Sequence, residues 1–165
     1  MTASPIPEDE LQRLAALRKL LLLNTAPEER FDRIVQFAAK RFDVPIALIG
    51  LVDHDRQWFK AKVGVEACET SREVSFCGHA ILQRELLIVE DASADPRFCD
   101  NPMVSNEPHV RFYAGAPLHI GDIRSAIGTL CLVDVKPRSL DEGQRTELRA
   151  LRDLVLEEMT SRCHR

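Results

Sequence analysis

Apolar residues recur at helical spacing, three or four residues apart, in three stretches of the chain. Such spacing predicts helices that each bury one face. The apolar positions of the three predicted helices are Leu11, Leu14, Leu17 and Leu21; Phe31, Ile34, Val35, Ala38, Ala39 and Phe42; and Leu148, Leu151, Val155 and Met159. Thr25 with Glu28, and Ser139 with Glu142, have the spacing of capping boxes and predict the starts of the second and last helices.

Two pairs of β-prone segments lie between the second and the last helix. The first pair is Ile46–Val52 and Gln57–Val63, and the second is Arg111–Ile120 and Ala126–Val133. The short polar connections predict two hairpins. One strand of each pair is apolar on both alternating faces, which is expected for central strands of a sheet that is covered on both sides.

These elements predict an α+β fold. Strands joined by hairpins form a central antiparallel sheet, here of about five to six strands, and helices at the two ends of the chain form a layer on one face of it. Gly64–Val110 lacks clear periodicity apart from the β-prone Leu86–Val89. Because only this segment is left to cover the other face, we expect its loops and short helices to close over a pocket. Residues 1–10 are predicted to be a flexible tail and residues 11–162 a single domain.

Composition and charge narrow the class of partner. The chain has 165 residues, with 22 basic and 26 acidic side chains and a net charge of -4. Proteins that bind nucleic acid need a basic surface, so no nucleic acid is expected as a partner. No apolar run is long enough to span a bilayer, and the polar start does not resemble a secretory signal. We therefore expect a cytoplasmic protein without a membrane partner, whose five cysteines are reduced thiols.

Several segments, in order and with similar gaps, resemble the GAF domain of bacterial sensor histidine kinases and diguanylate cyclases. The segments are Asn24–Asp32, Ser75–Ile81, Val89–Ala92 with Asp95–Phe98, Arg111–Leu118 and Ile127–Asp134. The resemblance implies a non-catalytic sensory or regulatory domain that binds a small molecule in bacterial signal transduction, including two-component systems. It also implies a homodimer through the terminal helices and a kinase or cyclase output partner. The stripes Leu11–Leu21 and Leu148–Met159 look longer than one small sheet requires, which agrees with such a dimer.

The ligand-binding candidates lie where the resemblance places the pocket. They are Phe76, His79, Arg97, Phe98, Arg111 and Tyr113. A guanidinium suits a carboxylate or phosphate, and a phenol offers stacking with one hydrogen bond. The alternative for each residue is a structural ion pair or core contact. No cofactor is evident from the sequence, and the ligand is unknown.

Other known activities of GAF domains have less support in these residues. Cyclic-nucleotide binding is an alternative, although the motif of the phosphodiesterase branch and a glycine-rich phosphate loop are both missing. Attachment of a bilin would need a cysteine followed by histidine, and only Cys163-His164 has that order. No metal site is predicted, because Cys77, His79, Cys99 and His109 lack a recognised ligand spacing.

An enzymatic alternative comes from the free methionine-R-sulfoxide reductases, which consist of a lone GAF domain. Cys68, Cys77 and Cys99 have a spacing similar to that of the cysteines in that family, which use thiols to reduce a sulfoxide. However, the substrate-binding carboxylates of that family fall on Tyr113, Cys131 and Val133. The simpler alternative is that Cys77 and Cys131 are buried apolar residues and that Cys68 and Cys99 are surface thiols.

A third class of function is a dimerisation module without a ligand. In that case the pocket is expected to be packed by aromatic residues of the domain itself. The aromatic residues available for this are Phe76, Phe98, Phe112 and Tyr113.

Overall fold

One antiparallel sheet of six strands organises the computed structural model, which describes residues 3–161. The strands are β1 (Ile46–Val52), β2 (Arg56–Val63), β3 (Glu69–Ser71), β4 (Leu87–Val89), β5 (Phe112–Leu118) and β6 (Gly128–Asp134), in the order β3-β2-β1-β6-β5-β4. The helices are α1 (Glu10–Lys19), α2 (Glu29–Phe42), α3 (Phe76–Ala80), α4 (Pro102–Ser105) and α5 (Glu142–Ser161). In this range no helix has both the length and the apolar content needed to cross a bilayer.

The predicted α+β fold is confirmed. Both predicted hairpins form, β1 with β2 and β5 with β6. β1 and β6 pair with each other in the centre of the sheet, and all seven residues of each are buried. The short strand β3, at one edge, is an element that the sequence pattern did not predict.

Each face of the sheet carries its own apolar core. On one face, the three long helices pack against alternate residues of the strands. This core includes the helix residues Leu14, Leu17, Phe31, Val35, Ala38, Leu148, Leu151, Val155 and Met159 and the strand residues Ala47, Ile49, Leu51, Phe112, Ala114, Leu130 and Leu132. On the other face, the segment between β2 and β5 packs against the remaining residues of the strands. This core includes Phe76, Ala80, Ile81, Phe98 and Val104 of the segment and the strand residues Leu48, Val52, Phe59, Tyr113, Cys131 and Val133. We call this segment, Gly64–Val110, the cover segment.

The stripe predicted for the first helix is partly wrong. Leu14 and Leu17 are buried, but Leu11 and Leu21 are 85% and 73% exposed. Leu21 lies beyond the end of α1 and has a positive φ of 56°, so the helical spacing no longer applies to it. Arg13 is fully buried on α1, where the pattern of leucines predicted no polar residue.

Both predicted capping boxes are wrong in detail. The residue before α2 is Glu28, and no side chain caps that end; the Thr25 hydroxyl donates to the Leu22 carbonyl instead. Before α5, the reciprocal bonds join Asp141 and Gln144, at 2.8 and 3.0 Å, two residues beyond the predicted pair. A carboxylate and an amide fulfil the same capping role as the predicted serine and glutamate.

A β-bulge in β2 brings a lysine to the connection between α1 and α2. Ile49 and Gly50 of β1 pair with Ala61 and Phe59, which leaves Lys60 without a partner residue on β1. Its side chain is completely buried, and its amine lies 2.7 Å from each of the Thr25 hydroxyl, the Ala26 carbonyl and the Glu28 carboxylate. Lys60 therefore fixes this connection, which carries part of the family resemblance, to the sheet.

The N-terminal residues are also attached to the cover segment. The predicted division into a tail of residues 1–10 and a domain of residues 11–162 stays a prediction, but Ser4 and Pro7 of that tail are buried. The Ser4 hydroxyl donates to the Arg72 carbonyl at 3.0 Å. A side chain at Gly78 would overlap Ser4, so the glycine permits this close approach.

Glu10 links two buried arginines. Its carboxylate accepts bonds from Arg13 Nε at 2.8 Å and from Arg72 Nη2 at 3.2 Å. Arg13 also donates to the Val52 carbonyl at 2.6 Å, and Arg72 to the Asp53 carbonyl at 3.1 Å. This group of three side chains, the Glu10 ion cluster, therefore joins α1, the β1–β2 turn and the start of the cover segment.

We expect Glu10→Gln to destabilise the domain by about 3 kcal/mol, because it leaves two buried guanidinium groups without a counter-ion. Urea unfolding at neutral pH measures this loss. Glu8→Gln is the matched control, since Glu8 is exposed, and should change the free energy of unfolding by less than about 0.5 kcal/mol. An equal effect of the two variants would contradict the role assigned to the cluster.

The same contact predicts a pH dependence. Burial raises the pKa of Glu10, but hydrogen bonds and charges from Arg13 and Arg72 outweigh it and lower the pKa from 4.5 to about 2. Stabilisation by this carboxylate is therefore complete above pH 4.5 and is lost as the pH falls towards about 2. We expect the stability difference between wild type and Glu10→Gln to shrink across that interval in acid titrations followed by circular dichroism.

Candidate functional site

Aromatic side chains fill the space between the sheet and the cover segment. Phe76 at the start of α3 stacks on Phe98, with ring centroids 4.2 Å apart, and lies 5.2 Å from the Tyr113 ring of β5. His79 meets the Phe98 ring edge-on at 4.9 Å. Four of the six predicted ligand-binding residues are thus brought together, and all four are buried. We call Phe76, Phe98 and Tyr113 the aromatic plug.

One aromatic residue that the sequence grouped with this pocket lies elsewhere. Phe112 is on the opposite face of β5, in the core beneath the helices, because successive strand residues point to opposite faces. Gly115 shares the face of Tyr113, two residues along β5. The tyrosine ring lies over it, in space that a Cβ atom would occupy.

The two predicted arginines are held by the cover segment itself. Arg97 forms an ion pair with Asp95 at 2.8 Å, and its guanidinium lies 5.1 Å from the centroid of the Phe98 ring. The hydrogen bond from Arg97 lowers the pKa of Asp95. Arg111 donates to the Val104 and Val110 carbonyls at 3.0 and 2.9 Å. Arg97 remains partly exposed beside the plug, whereas Arg111 holds α4 to the start of β5.

Side chains fill most of the pocket beneath the cover segment. The cavity that remains measures about 40 Å³. Its lining residues are Leu48, Gln57, Phe59, Thr70, Phe76, Cys77, Met103, Val110, Tyr113, Cys131 and Val133. Sites for drug-sized ligands usually measure several hundred Å³, and one water in the liquid occupies about 30 Å³. A nucleotide therefore fits only if the aromatic plug moves.

Polar groups surround the buried sulfur of Cys77 on this face of the sheet. Its sulfur lies 2.9 Å from Gln57 Nε2, 2.9 Å from the Thr129 hydroxyl, 3.1 Å from the Tyr113 hydroxyl and 4.0 Å from the Cys131 sulfur. The Gln57 amide oxygen in turn accepts a bond from Ser75 at 2.7 Å. The prediction that Cys77 and Cys131 are buried is confirmed, but Cys77 is a hydrogen-bonded thiol rather than an apolar residue.

These contacts shift the pKa values of the Cys77 and Cys131 thiols in opposite directions. Burial raises the pKa of Cys77, but hydrogen bonds with Cys131, Thr129, Tyr113 and Gln57 outweigh it, so the net pKa is lowered. The hydrogen bond to Cys77, together with burial, raises the pKa of Cys131. Burial also raises the pKa of Tyr113, which therefore remains a hydroxyl that can donate to sulfur. Of the two thiols, Cys77 ionises first.

The reductase alternative needs three thiols that the fold places differently. Cys68 and Cys99 are exposed, whereas Cys77 is buried and has Cys131 as its sulfur neighbour. Cys163 and His164, considered for a bilin, lie outside the described residues. Across residues 3–161, histidine, cysteine, aspartate and glutamate form no group of three or more that could hold a metal ion.

The sequence did not identify Gln57 and Thr129 as part of this site, and it placed Cys131 there only within the reductase alternative. Thr129 and Cys131 are two residues apart on β6, and a strand places such residues on one face. A threonine within the apolar run of β6 was therefore an available signal. The contribution of Gln57 depends on the bulge in β2, and no local pattern predicts a bulge there.

Comparisons with known proteins agree on the family of this fold. The family model for the GAF domain matches residues 26–157. A cyclic di-GMP phosphodiesterase of Pseudomonas aeruginosa is 46% identical over 138 residues, which are 84% of this chain and 23% of that protein. The chain therefore spans about a quarter of the length of this relative.

Two solved structures illustrate the likeness in fold. The GAF domain of an Acinetobacter phosphoenolpyruvate-protein phosphotransferase has a TM-score of 0.63 and 19% identity, covering 91% of this chain and 94% of that one. A type II free methionine-R-sulfoxide reductase from Thermoplasma acidophilum has a TM-score of 0.65 and 14% identity, covering 88% and 96%. At these identities the two structures support the fold alone.

We expect Gly115→Ala to displace Tyr113 and to destabilise the domain by about 1–3 kcal/mol, because the new methyl group overlaps a buried ring. Thermal and urea unfolding measure the effect. The matched control is Gly143→Ala, which adds the same methyl group in α5, where alanine favours the helix. If Gly115→Ala were as stable as wild type, the tyrosine ring would not be confined as described.

Proposed function

Since this chain belongs to the GAF domain family, we propose that it is the sensory or regulatory domain of a bacterial signalling protein. In this proposal it binds a small molecule beneath the cover segment and has no catalytic activity of its own. The single observation that carries the proposal is the aromatic plug, a buried group of rings with an arginine at its edge. A guanidinium beside stacked rings suits an anionic, planar ligand.

The relative from Pseudomonas aeruginosa supports a role in signalling. Its name assigns it a phosphodiesterase activity towards cyclic di-GMP, and this chain matches less than a quarter of it. We infer that the domain works together with an output domain that makes, degrades or responds to such a messenger. A cyclic nucleotide is accordingly one class of ligand to test, and the cytoplasm is the compartment where these messengers occur.

The small volume of the cavity constrains how a ligand is accommodated. Exposing one buried aromatic ring to water costs about 3 kcal/mol, so exposing the whole plug costs on the order of 10 kcal/mol. That sum is comparable with the entire stability of a domain. A ligand must therefore cover the rings that it displaces, and the cover segment shifts around it rather than unfolding.

Hydrogen bonds join the cover segment directly to α1, so a shift of the segment can be transmitted to that helix. Arg72 lies at the start of this segment, four residues before α3, and is bound to Glu10 of α1. The Ser4 hydroxyl also binds the Arg72 carbonyl. We infer that ligand binding biases the position of the N-terminal helix through these contacts, to the extent that the ligand prefers one arrangement over the other.

The ligand part of the proposal is tested by amide hydrogen exchange with cAMP, cGMP, cyclic di-GMP and a small-molecule extract of bacterial cells. We expect at least one of them to slow exchange in residues 72–80 and 92–111 by about tenfold or more, because a bound ligand suppresses opening of the cover segment. Arg97→Ala should weaken the protection. Arg33→Ala, which removes an exposed arginine of α2, should leave it unchanged.

If neither the three nucleotides nor the extract protects these residues, the ligand-binding part of the proposal fails. The dimerisation module, in which the plug simply fills the pocket, would then be the function that remains.

We also propose a homodimer through the helical layer. The stripe Leu148–Met159 is used inside the monomer's core, so it is not free for a partner. Exposed apolar residues remain on the two paired helices of this layer: Phe37 on α2 and Leu154 on α5. Arg30 binds Glu158 and Arg41 binds Glu147, which holds α2 and α5 antiparallel. Phe37 and Leu154 each lie one helical turn from one of these pairs, on the side away from the sheet.

We expect Phe37→Glu combined with Leu154→Glu to convert the dimer to a monomer, because two buried charges in a self-complementary interface repel their symmetry mates. Light scattering after size exclusion gives the mass. Val135→Glu is the control, since Val135 is exposed but follows β6 and lies outside the helices. A wild-type protein that is monomeric at micromolar concentration would contradict this interface.

A further inference from the structure

We propose that Cys77 and Cys131 are an oxidisable pair of thiols, which a small hydroperoxide converts into a disulfide. This proposal does not depend on the ligand considered above. It assigns a chemical role to a buried sulfur whose surroundings neither a plain hydrophobic core nor the reductase alternative explains.

The sulfurs of Cys77 and Cys131 lie close enough to form a bond after a small shift. They are in contact at 4.0 Å, on two elements that face each other across the cover-side core, α3 and β6. A disulfide needs a separation of about 2.05 Å, so the sulfurs must approach by about 2 Å. Cys77 lies on a five-residue helix next to Gly78, and a small shift of so short an element can supply this movement.

The hydrogen-bond donors around Cys77 favour its thiolate form. A thiolate, not a thiol, attacks a peroxide, and a buried cysteine is inert unless its surroundings stabilise that anion. Here the Gln57 amide donates to the sulfur at 2.9 Å, and the hydroxyls of Thr129 and Tyr113 lie at 2.9 and 3.1 Å. Three groups able to donate to one sulfur are the arrangement that a thiolate requires and a neutral thiol does not.

The size of the cavity determines which oxidant can reach the two thiols. Both Cys77 and Cys131 line it, together with the Gln57 and Tyr113 side chains, and its volume is about 40 Å³. Hydrogen peroxide is little larger than water and fits such a space, whereas methionine sulfoxide does not. The half-buried Thr70 and Met103 also line the cavity and mark where it approaches the surface.

The reaction proceeds in two balanced steps. The Cys77 thiolate attacks one peroxide oxygen, the O–O bond breaks, and Cys77 sulfenic acid and hydroxide form. The Cys131 sulfur then attacks the sulfenic sulfur, so that the S–S bond forms and the S–O bond breaks. The thiol proton of Cys131 and the hydroxyl group leave as water. In sum, two thiols lose two electrons and two protons, and one molecule of hydrogen peroxide is reduced to two molecules of water.

The disulfide has a predictable consequence for the cover segment. It links α3 covalently to β6, whereas in the reduced protein α3 is held there by packing and hydrogen bonds. Opening of the cover segment at α3 then requires breaking a covalent bond. We therefore expect oxidation to slow amide exchange of residues 76–81 by about tenfold or more, and reduction by dithiothreitol to restore it.

The decisive experiment uses a variant with Cys68, Cys99 and Cys163 replaced by serine, so that only the pair remains. The reduced protein is treated with stoichiometric hydrogen peroxide, denatured and alkylated. We expect both alkylatable thiols to be lost, the mass to fall by about 2 Da, and a peptide linking Cys77 to Cys131 to appear. Persistence of both thiols, under conditions that oxidise free glutathione, would overturn the proposal.

Two further variants separate the roles of the thiols. With Cys131→Ala, Cys77 should form a sulfenic acid that is trapped by a 1,3-dione, and no disulfide should appear. With Thr129→Val, the pH midpoint of Cys77 oxidation should rise by about one unit, because one donor to the thiolate is lost. An unchanged midpoint would contradict the proposed stabilisation of the thiolate. The mass and peptide results decide the main proposal even if a variant does not fold.

Discussion

The two-sided apolar character of β1, β5 and β6 is the constraint on which the rest of this structure depends. Every residue of these strands is buried, so neither face of the sheet can meet water. The long helices cover one face with regular amphipathic stripes. The cover segment buries the other face. Its helices are short, so aromatic and aliphatic residues from along the segment complete the core on that face. A segment that completes a core in this way cannot leave as a flexible loop does, because its departure exposes that core.

Polar contacts at several points along the cover segment fix its position against the sheet and α1. The Glu10 ion cluster holds its start near Arg72, Asn101 donates to the Val74 carbonyl at 3.0 Å, and Arg111 holds its end to β5. Between these points, the pairing of β4 with β5, the polar contacts of Cys77 and apolar packing together hold the segment to the sheet. Hydrogen bonds are directional and fix position, whereas apolar packing tolerates sliding and repacking. These directional contacts therefore set the register of the cover segment, and repacking is confined to its apolar side chains.

The sequence predicted the layers of this fold better than the site within it. Helix and strand patterns are local, so the hairpins, the central strands and the helical layer could all be derived from spacing. The errors at Leu11 and Leu21, and at both capping boxes, are at helix ends, where one residue changes which face is buried. The site depends on contacts between distant segments: Gln57, Cys77 and Thr129 come from three elements, and the bulge at Lys60 shifts the register of β2. The sequence grouped Phe76, Phe98 and Tyr113 correctly, but it wrongly placed Phe112 with them and left open whether these rings fill the pocket.

The environment of Cys77 also bears on how the cover-side core is specified. An alanine or valine at this position would need no partners, and Gln57, Thr129 and the Tyr113 hydroxyl could then all be replaced by apolar groups. Instead, the core contains a cluster of polar groups whose burial costs free energy unless every member is paired. That pairing is complete only when α3 lies against β6 in one register, so the cluster favours a single closed arrangement over alternative packings of the plug. A polar cluster placed where the cover segment meets the sheet thus makes closure of the segment sensitive to the chemical state of one sulfur.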